Sequence, residues 1–293
     1  MEVTHVGAAQ FILLSLGVVI AIAAPTAVAL WWKFKKKEPI ATILVGAVTF
    51  LLFALILEKP IQNVLAFPTA MGLPDHALSR ALAARPVLLA LVAGLFPGVF
   101  EETGRLLAFR FVLKNRRNKE TSISYGIGHG GFEVMILVGV AFVEYIIYGI
   151  MLNTGLFDML VEKVAAQAPD QLGSVETLVG TIAGFSAADL GMTLVERVIA
   201  VLFHVGASIL VFYACKERKK FWLYPLAVAL HTAIDFVAGL WLFGVIELNA
   251  WAFEGIFAAC GVLTFLAAYF ALYRKDVAPA PTAADNREET ESI

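Results

Sequence analysis

Apolar residues run almost unbroken over residues 6–32, 40–57, 86–113, 124–152, 190–214, 221–243 and 249–273, with basic or polar stretches between them. Each run is near the ~20 residues that carry an α-helix across a bilayer core. The pattern therefore predicts an all-α, polytopic membrane helix bundle of about seven transmembrane helices. The first run is too long for a signal peptide, and only Glu2 and His5 stand before it where a basic leader would be, so it reads as a retained span.

The polar stretches between the runs alternate in charge. Lys33, Lys35, Lys36 and Lys37 follow the first run, Lys114, Arg116, Arg117 and Lys119 the third, Lys216, Arg218, Lys219 and Lys220 the fifth, and Arg274 and Lys275 the seventh. The intervening loops carry only Lys59, Arg80, Arg85 and Lys163. The positive-inside rule then puts the N-terminus outside and the C-terminus in the cytoplasm. Within residues 153–189, Phe157, Leu160, Val161 and Val164 recur at the spacing of a helix lying along the interface. Residues 1–275 read as a single transmembrane domain, and residues 276–293, Pro/Ala-rich and then acidic, as a disordered cytoplasmic tail.

Composition agrees with the pattern. The chain is 60% hydrophobic and 16% charged, with a mean hydropathy of +0.81, which sets it apart from soluble domains of its length. Cys215 and Cys260 sit in or beside apolar runs, which excludes a disulfide framework and a cysteine-based metal site.

What composition does not explain is a set of ionisable residues inside the runs, where each is costly to insert. Three of the five histidines lie there, and each begins a pair four residues apart: His129 with Glu133, His204 with Ser208, and His231 with Asp235. The third run adds Glu101, Glu102 and Arg105, Glu101 and Arg105 again four apart. Residues four apart share a helix face, so four helices each present a polar couple in one direction. Counted from the cytoplasmic end at ~1.5 Å per residue, Glu101 lies about 12 residues deep, His204 and His231 about 10, and His129 to Glu133 about 5 to 9. The heights converge on one site in the cytoplasmic half, which suggests access from the cytoplasm or the inner leaflet. Arg110 is close enough to the rim to snorkel, and Glu196 beside Arg197 reads as a local pair or as lining of an access path.

Carboxylates and imidazoles gathered away from water suit hydrolysis assisted by a metal or by a glutamate. The usual zincin signature HExxH is absent. A proton-coupled carrier would also need buried Glu, His and Arg, but predicts internal repeats, and none is visible. A non-catalytic immunity or assembly protein on the same fold is a further alternative.

EETGR at 101–105, GHGGFE at 128–133, HVGAS at 204–208 and HTAID at 231–235 together resemble the motif set of the YhfC family of intramembrane metalloproteases. That family is related to the CAAX prenyl endopeptidase, bacteriocin-immunity and PrsW-type membrane proteins. The resemblance covers residues 86–243. The wider group often shows EExxxR, whereas this chain has EExxR at 101–105.

The resemblance implies a multi-pass protein of a prokaryotic plasma membrane that cleaves a membrane-associated protein or peptide, with the lipid bilayer as its other partner and no nucleic acid. Carried onto this chain, Glu101 or Glu102 activates water and Arg105 pairs with a glutamate. His129 and Glu133 help to hold the water or a metal, His231 with Asp235 binds the metal or steadies the oxyanion, and His204 is a further ligand. The implied metal set is His129, His204 and His231, with Zn2+ as the candidate ion and a metal-independent glutamate mechanism as the alternative.

Overall fold

The computed structural model describes residues 5–276, and the segment from 277 onward, read above as disordered, lies outside the described residues. Every regular element among the described residues is helical. Seven helices are long and apolar enough to cross a membrane: Ala8–Lys36, Ile40–Ala66, Pro86–Val112, Glu120–Thr154, Ala187–Lys216, Arg218–Leu242 and Ala250–Tyr273, here the first to seventh spans. Ends differ most where polar residues continue a helix. The second span runs on past Glu58 and Lys59 to Ala66, with Pro60 directly after the π-wound stretch Leu51–Glu58, where the ordinary hydrogen-bond ladder is already interrupted.

Three shorter helices, Ala77–Ala83, Phe157–Gln167 and Leu172–Gly184, fill two of the connections. The last two replace the one interfacial helix expected over 153–189, and Phe157 at the start of the first is buried against Tyr148.

Small residues decide which spans touch. The third and sixth spans form the most extensive pairing, and at Gly94 an added Cβ would come within 2.7 Å of the Thr232 carbonyl oxygen. A Cβ on Gly128 of the fourth span would overlap the Ile43 carbonyl of the second, and one on Gly126 would lie 2.7 Å from the Val205 Cα of the fifth. In a bilayer, apolar burial does not favour one helix neighbour over lipid, so such backbone-to-backbone approach is what selects partners.

Helix winding changes near the polar residues. Leu51–Glu58 in the second span is wound as a π-helix ending at Glu58, and Met135–Val140 in the fourth begins one residue after Val134. These wider turns hold an extra residue each and are common beside functional sites.

The four basic connections gather at one end of the bundle. Asn118 donates to Glu38, Lys119 donates to the Asp276 carbonyl over 2.7 Å, and Lys216 pairs with the Asp276 carboxylate. Next to this end lies the main apolar core, with Phe109, Tyr125, Val205, Ile209, Phe212 and Tyr213.

Candidate active site

The third, fourth, fifth and sixth spans bring Glu101, Glu102, Arg105, His129, Glu133, His204 and His231 together, all buried, with Asp235 half-buried at the edge. The couples four residues apart mostly do not pair with each other. His129 Nε2 lies 2.9 Å from Glu101 Oε2 on the third span, and Glu133 Oε2 lies 2.6 Å from His204 Nε2 on the fifth. Arg105 pairs with Glu102, one turn back, and not with Glu101. Ser208 donates to the His204 backbone carbonyl at 2.6 Å and does not reach a ring. Only His231 and Asp235 face each other within one helix, at 3.4 Å. Sharing a face turns such residues toward the neighbouring helix, and there each finds its partner.

Hydrogen-bond chemistry fixes several proton positions. A guanidinium only donates, so the 3.1 Å contact from an Arg105 Nη to His204 Nδ1 makes that nitrogen an acceptor. The ring proton of a neutral His204 therefore sits on Nε2, the nitrogen 2.6 Å from Glu133 Oε2. Glu102 accepts both from Arg105 and from His231 Nδ1 at 2.9 Å, which leaves His231 Nε2 turned toward Asp235. The Arg105 guanidinium also lies 5.9 Å from the Tyr125 ring centre. The other Glu102 oxygen and His129 Nδ1 are buried without a hydrogen-bond partner among the described residues.

The two adjacent glutamates thus differ. Glu101 lines a cavity of about 280 Å3 together with Glu133, His204, His231 and Asp235, while Glu102 and Arg105 lie behind it, sealed from any space. Beyond the cluster the cavity is lined by Ala93 and Pro97 of the third span, Arg197 of the fifth, Ala238 of the sixth and Phe257 of the seventh. All of these lie on the side away from the basic end. Access from the basic end, expected from the depths, is therefore corrected: the Phe109–Tyr125–Phe212 core and Arg105 fill that side.

One residue joins the cluster that sequence reasoning did not assign to it, and a further carboxylate is buried outside the cluster's contacts. Arg197 pairs with Glu196, as expected of a local pair, but also reaches Glu133 at 3.1 Å and so extends the cluster to the cavity wall. Glu58 is fully buried, with Lys59 3.1 Å from it as its partner. Its signal was a carboxylate directly after an apolar run, at a point that resembled a span's end.

Glu101, His204 and His231 each offer a ligand atom, and these atoms lie within 4.8 Å of one another, a group able to hold a metal ion. His129, expected among the ligands, is outside that group: its ring lies beside that of His204, 4.7 Å between centres, and its Nε2 is on Glu101.

Comparison with known proteins identifies the family. The chain is 28% identical over 261 residues to a Bacillus subtilis (strain 168) protein described as "Uncharacterized membrane protein YhfC", an alignment covering 86% of this chain and 93% of that one. No solved structure matches. A family model matches residues 18–257, a range that contains the whole polar cluster, and the chain belongs to the YhfC intramembrane metalloprotease family.

Proposed function

We propose that the protein is an intramembrane peptidase that hydrolyses a peptide bond of a membrane-associated protein or peptide, with Glu101 as the carboxylate that activates water. The observation that carries this reading is the division of labour between the adjacent glutamates: Glu101 borders the cavity, and Glu102 is consumed by Arg105 and His231. A carboxylate beside the space where a scissile bond fits can take the proton of the attacking water and return it to the leaving amine. His129 holds Glu101 in one orientation through its Nε2 proton. Glu102 neutralises Arg105 and fixes the His231 ring, and Arg105 fixes the tautomer of His204. Glu133, tied to His204 and Arg197, keeps the fifth span in register with the fourth.

The metal that the family name implies fits these residues. Two imidazoles and one carboxylate, His204, His231 and Glu101, would form the protein donor set of a hydrolytic zinc site with a position left for water; in that state Glu101 is a ligand, and its role as base belongs to the metal-free mechanism. Glu102 behind His231 Nδ1 is the kind of carboxylate that orients a ligating imidazole. When bound, such an ion polarises the scissile carbonyl and lowers the pKa of water. His204 would ligate through Nε2 as a neutral imidazole only with its ring proton moved to Nδ1 and the Arg105 contact there released, and His129 would act by orienting Glu101.

The orientation inferred from the basic loops, N-terminus outside and C-terminus cytoplasmic in a plasma membrane, has the cavity facing the outer half of the bilayer. Reporter fusions after residues 37 and 275 that scored as external would reverse it.

Glu101→Gln removes the carboxylate charge that either role needs. Cleavage of a membrane-anchored substrate in detergent by the purified variant is expected to fall about 10²–10⁴-fold, and elemental analysis separates the roles: metal retained marks Glu101 as the base, metal lost marks it as a ligand. Undiminished cleavage by this variant would remove Glu101 from the chemistry.

A further inference from the structure

At the basic end, away from the polar cluster, the third span's last turn and the junction of the fifth and sixth spans enclose a pocket of about 760 Å3. Arg110, Lys114, Arg116, Arg117, Lys216 and Arg218 line it, and no carboxylate does. These side chains come from two segments a hundred residues apart, joined where Arg117 donates to the Lys216 carbonyl at 3.4 Å. Nearby acids are already engaged. Asp276 pairs with Lys216, Glu217 with Lys220 at 2.7 Å, and Glu38 accepts from Asn118. Partial burial raises the Asp276 carboxyl, but the Lys216 ammonium and the Tyr213 hydroxyl outweigh this and hold it below the ordinary aspartate range. Asp276 thus stays an anion committed to Lys216. Arg110, Lys114, Arg117 and Arg218 are exposed and make no ion pair among the described residues.

The surroundings identify the kind of anion. Phe111, Val112, Phe221 and Trp222 beside the pocket are all exposed, at 60%, 66%, 44% and 59%. Exposed aliphatic and aromatic side chains at a span's end belong at the boundary between acyl chains and headgroups. We propose that this pocket binds the phosphate headgroup of an anionic phospholipid, with guanidinium groups of Arg110, Arg117 and Arg218 on the phosphate oxygens and the acyl chains lying along Phe111 and Val112. Arginine forks match phosphate geometry, and basic pockets between spans at headgroup depth are suited to such lipids. The site is independent of the peptidase reading.

The test is native mass spectrometry of the full-length protein in detergent, titrated with phosphatidylglycerol or phosphatidylcholine. Phosphatidylglycerol is expected to stay bound and phosphatidylcholine not. The triple variant Arg110→Gln/Arg117→Gln/Arg218→Gln should weaken retention at least tenfold, while Lys33→Gln/Lys35→Gln/Lys37→Gln, which removes the same charge elsewhere at this end, should change it less than twofold. Equal losses in both variants would mean diffuse surface attraction and overturn the proposal. Displacement by millimolar inorganic phosphate would reassign the pocket to a soluble phosphate. Retention only after removal of residues 277–293 would assign it to the chain's own acidic tail. All three substituted arginines are exposed, and a monodisperse gel-filtration peak checks that the variant is folded.

Discussion

The first and fifth spans are both long and strongly apolar, yet 78% of the most apolar stretch of the fifth is buried in the protein and only 17% of that of the first. The difference lies in what interrupts the apolar residues. Inward-facing polar and small residues crowd the fifth: Arg197 and His204 find partners on other helices, Ser208 is buried with its hydroxyl on the His204 carbonyl of its own helix, and Gly206 meets the backbone of the seventh span. The first carries Ile12, Val19 and Ile22 outward, where lipid replaces protein. Hydropathy therefore reports entry into the bilayer, while the sparse polar and small residues report position within the bundle.

Substitutions at the two kinds of position test that difference. The largest effect is expected from His204→Ala, which leaves Arg105 and Glu133 each short of a buried partner. A loss of about 3–5 kcal/mol is expected from breaking such a network, measured by unfolding in a denaturing-detergent titration. An unchanged midpoint would mean that water enters and replaces the imidazole. Next comes Gly128→Ala, whose methyl group would overlap the Ile43 carbonyl and push the second and fourth spans apart, at about 1–3 kcal/mol in the same titration. At the bottom of the scale is Ile12→Ala on the lipid-facing side of the first span, 67% exposed, with about 0.5 kcal/mol or less expected. If Ile12→Ala cost as much as Gly128→Ala, the division between inward and outward residues would fail.

The same division explains how much could be read from the sequence. The seven spans and the convergence of Glu101, His129, Glu133, His204 and His231 were legible, because a charged residue within an apolar run has few places to go and a spacing of four fixes its face. Which atom meets which was not. A helix wheel gives direction but not the identity of the residue across the gap, so the sequence left open which glutamate Arg105 pairs with, and the structure gives it Glu102 and His204. Arg197 was visible but has two partners, one adjacent and one on the fourth span. Glu58 sat beside Lys59, which resembled the start of a loop. The direction of access was misjudged because depth along each helix says nothing about which side of a cluster is filled by bulky neighbours such as Phe109 and Phe212.

The π-wound stretch Leu51–Glu58 carries a consequence for how this chain tolerates length changes. A π turn holds one residue more than an α turn, as a single inserted amino acid would leave behind. Deleting one residue from it would let the second span relax to ordinary winding, and because a π turn absorbs its extra residue within one turn, the stretches on either side would stay in register. Ile43 and Gly46 would keep their places against the fourth span and Glu58 its buried position. A residue added elsewhere in the span would instead turn one side against the other by about 100°, so this helix tolerates a deletion here better than an insertion.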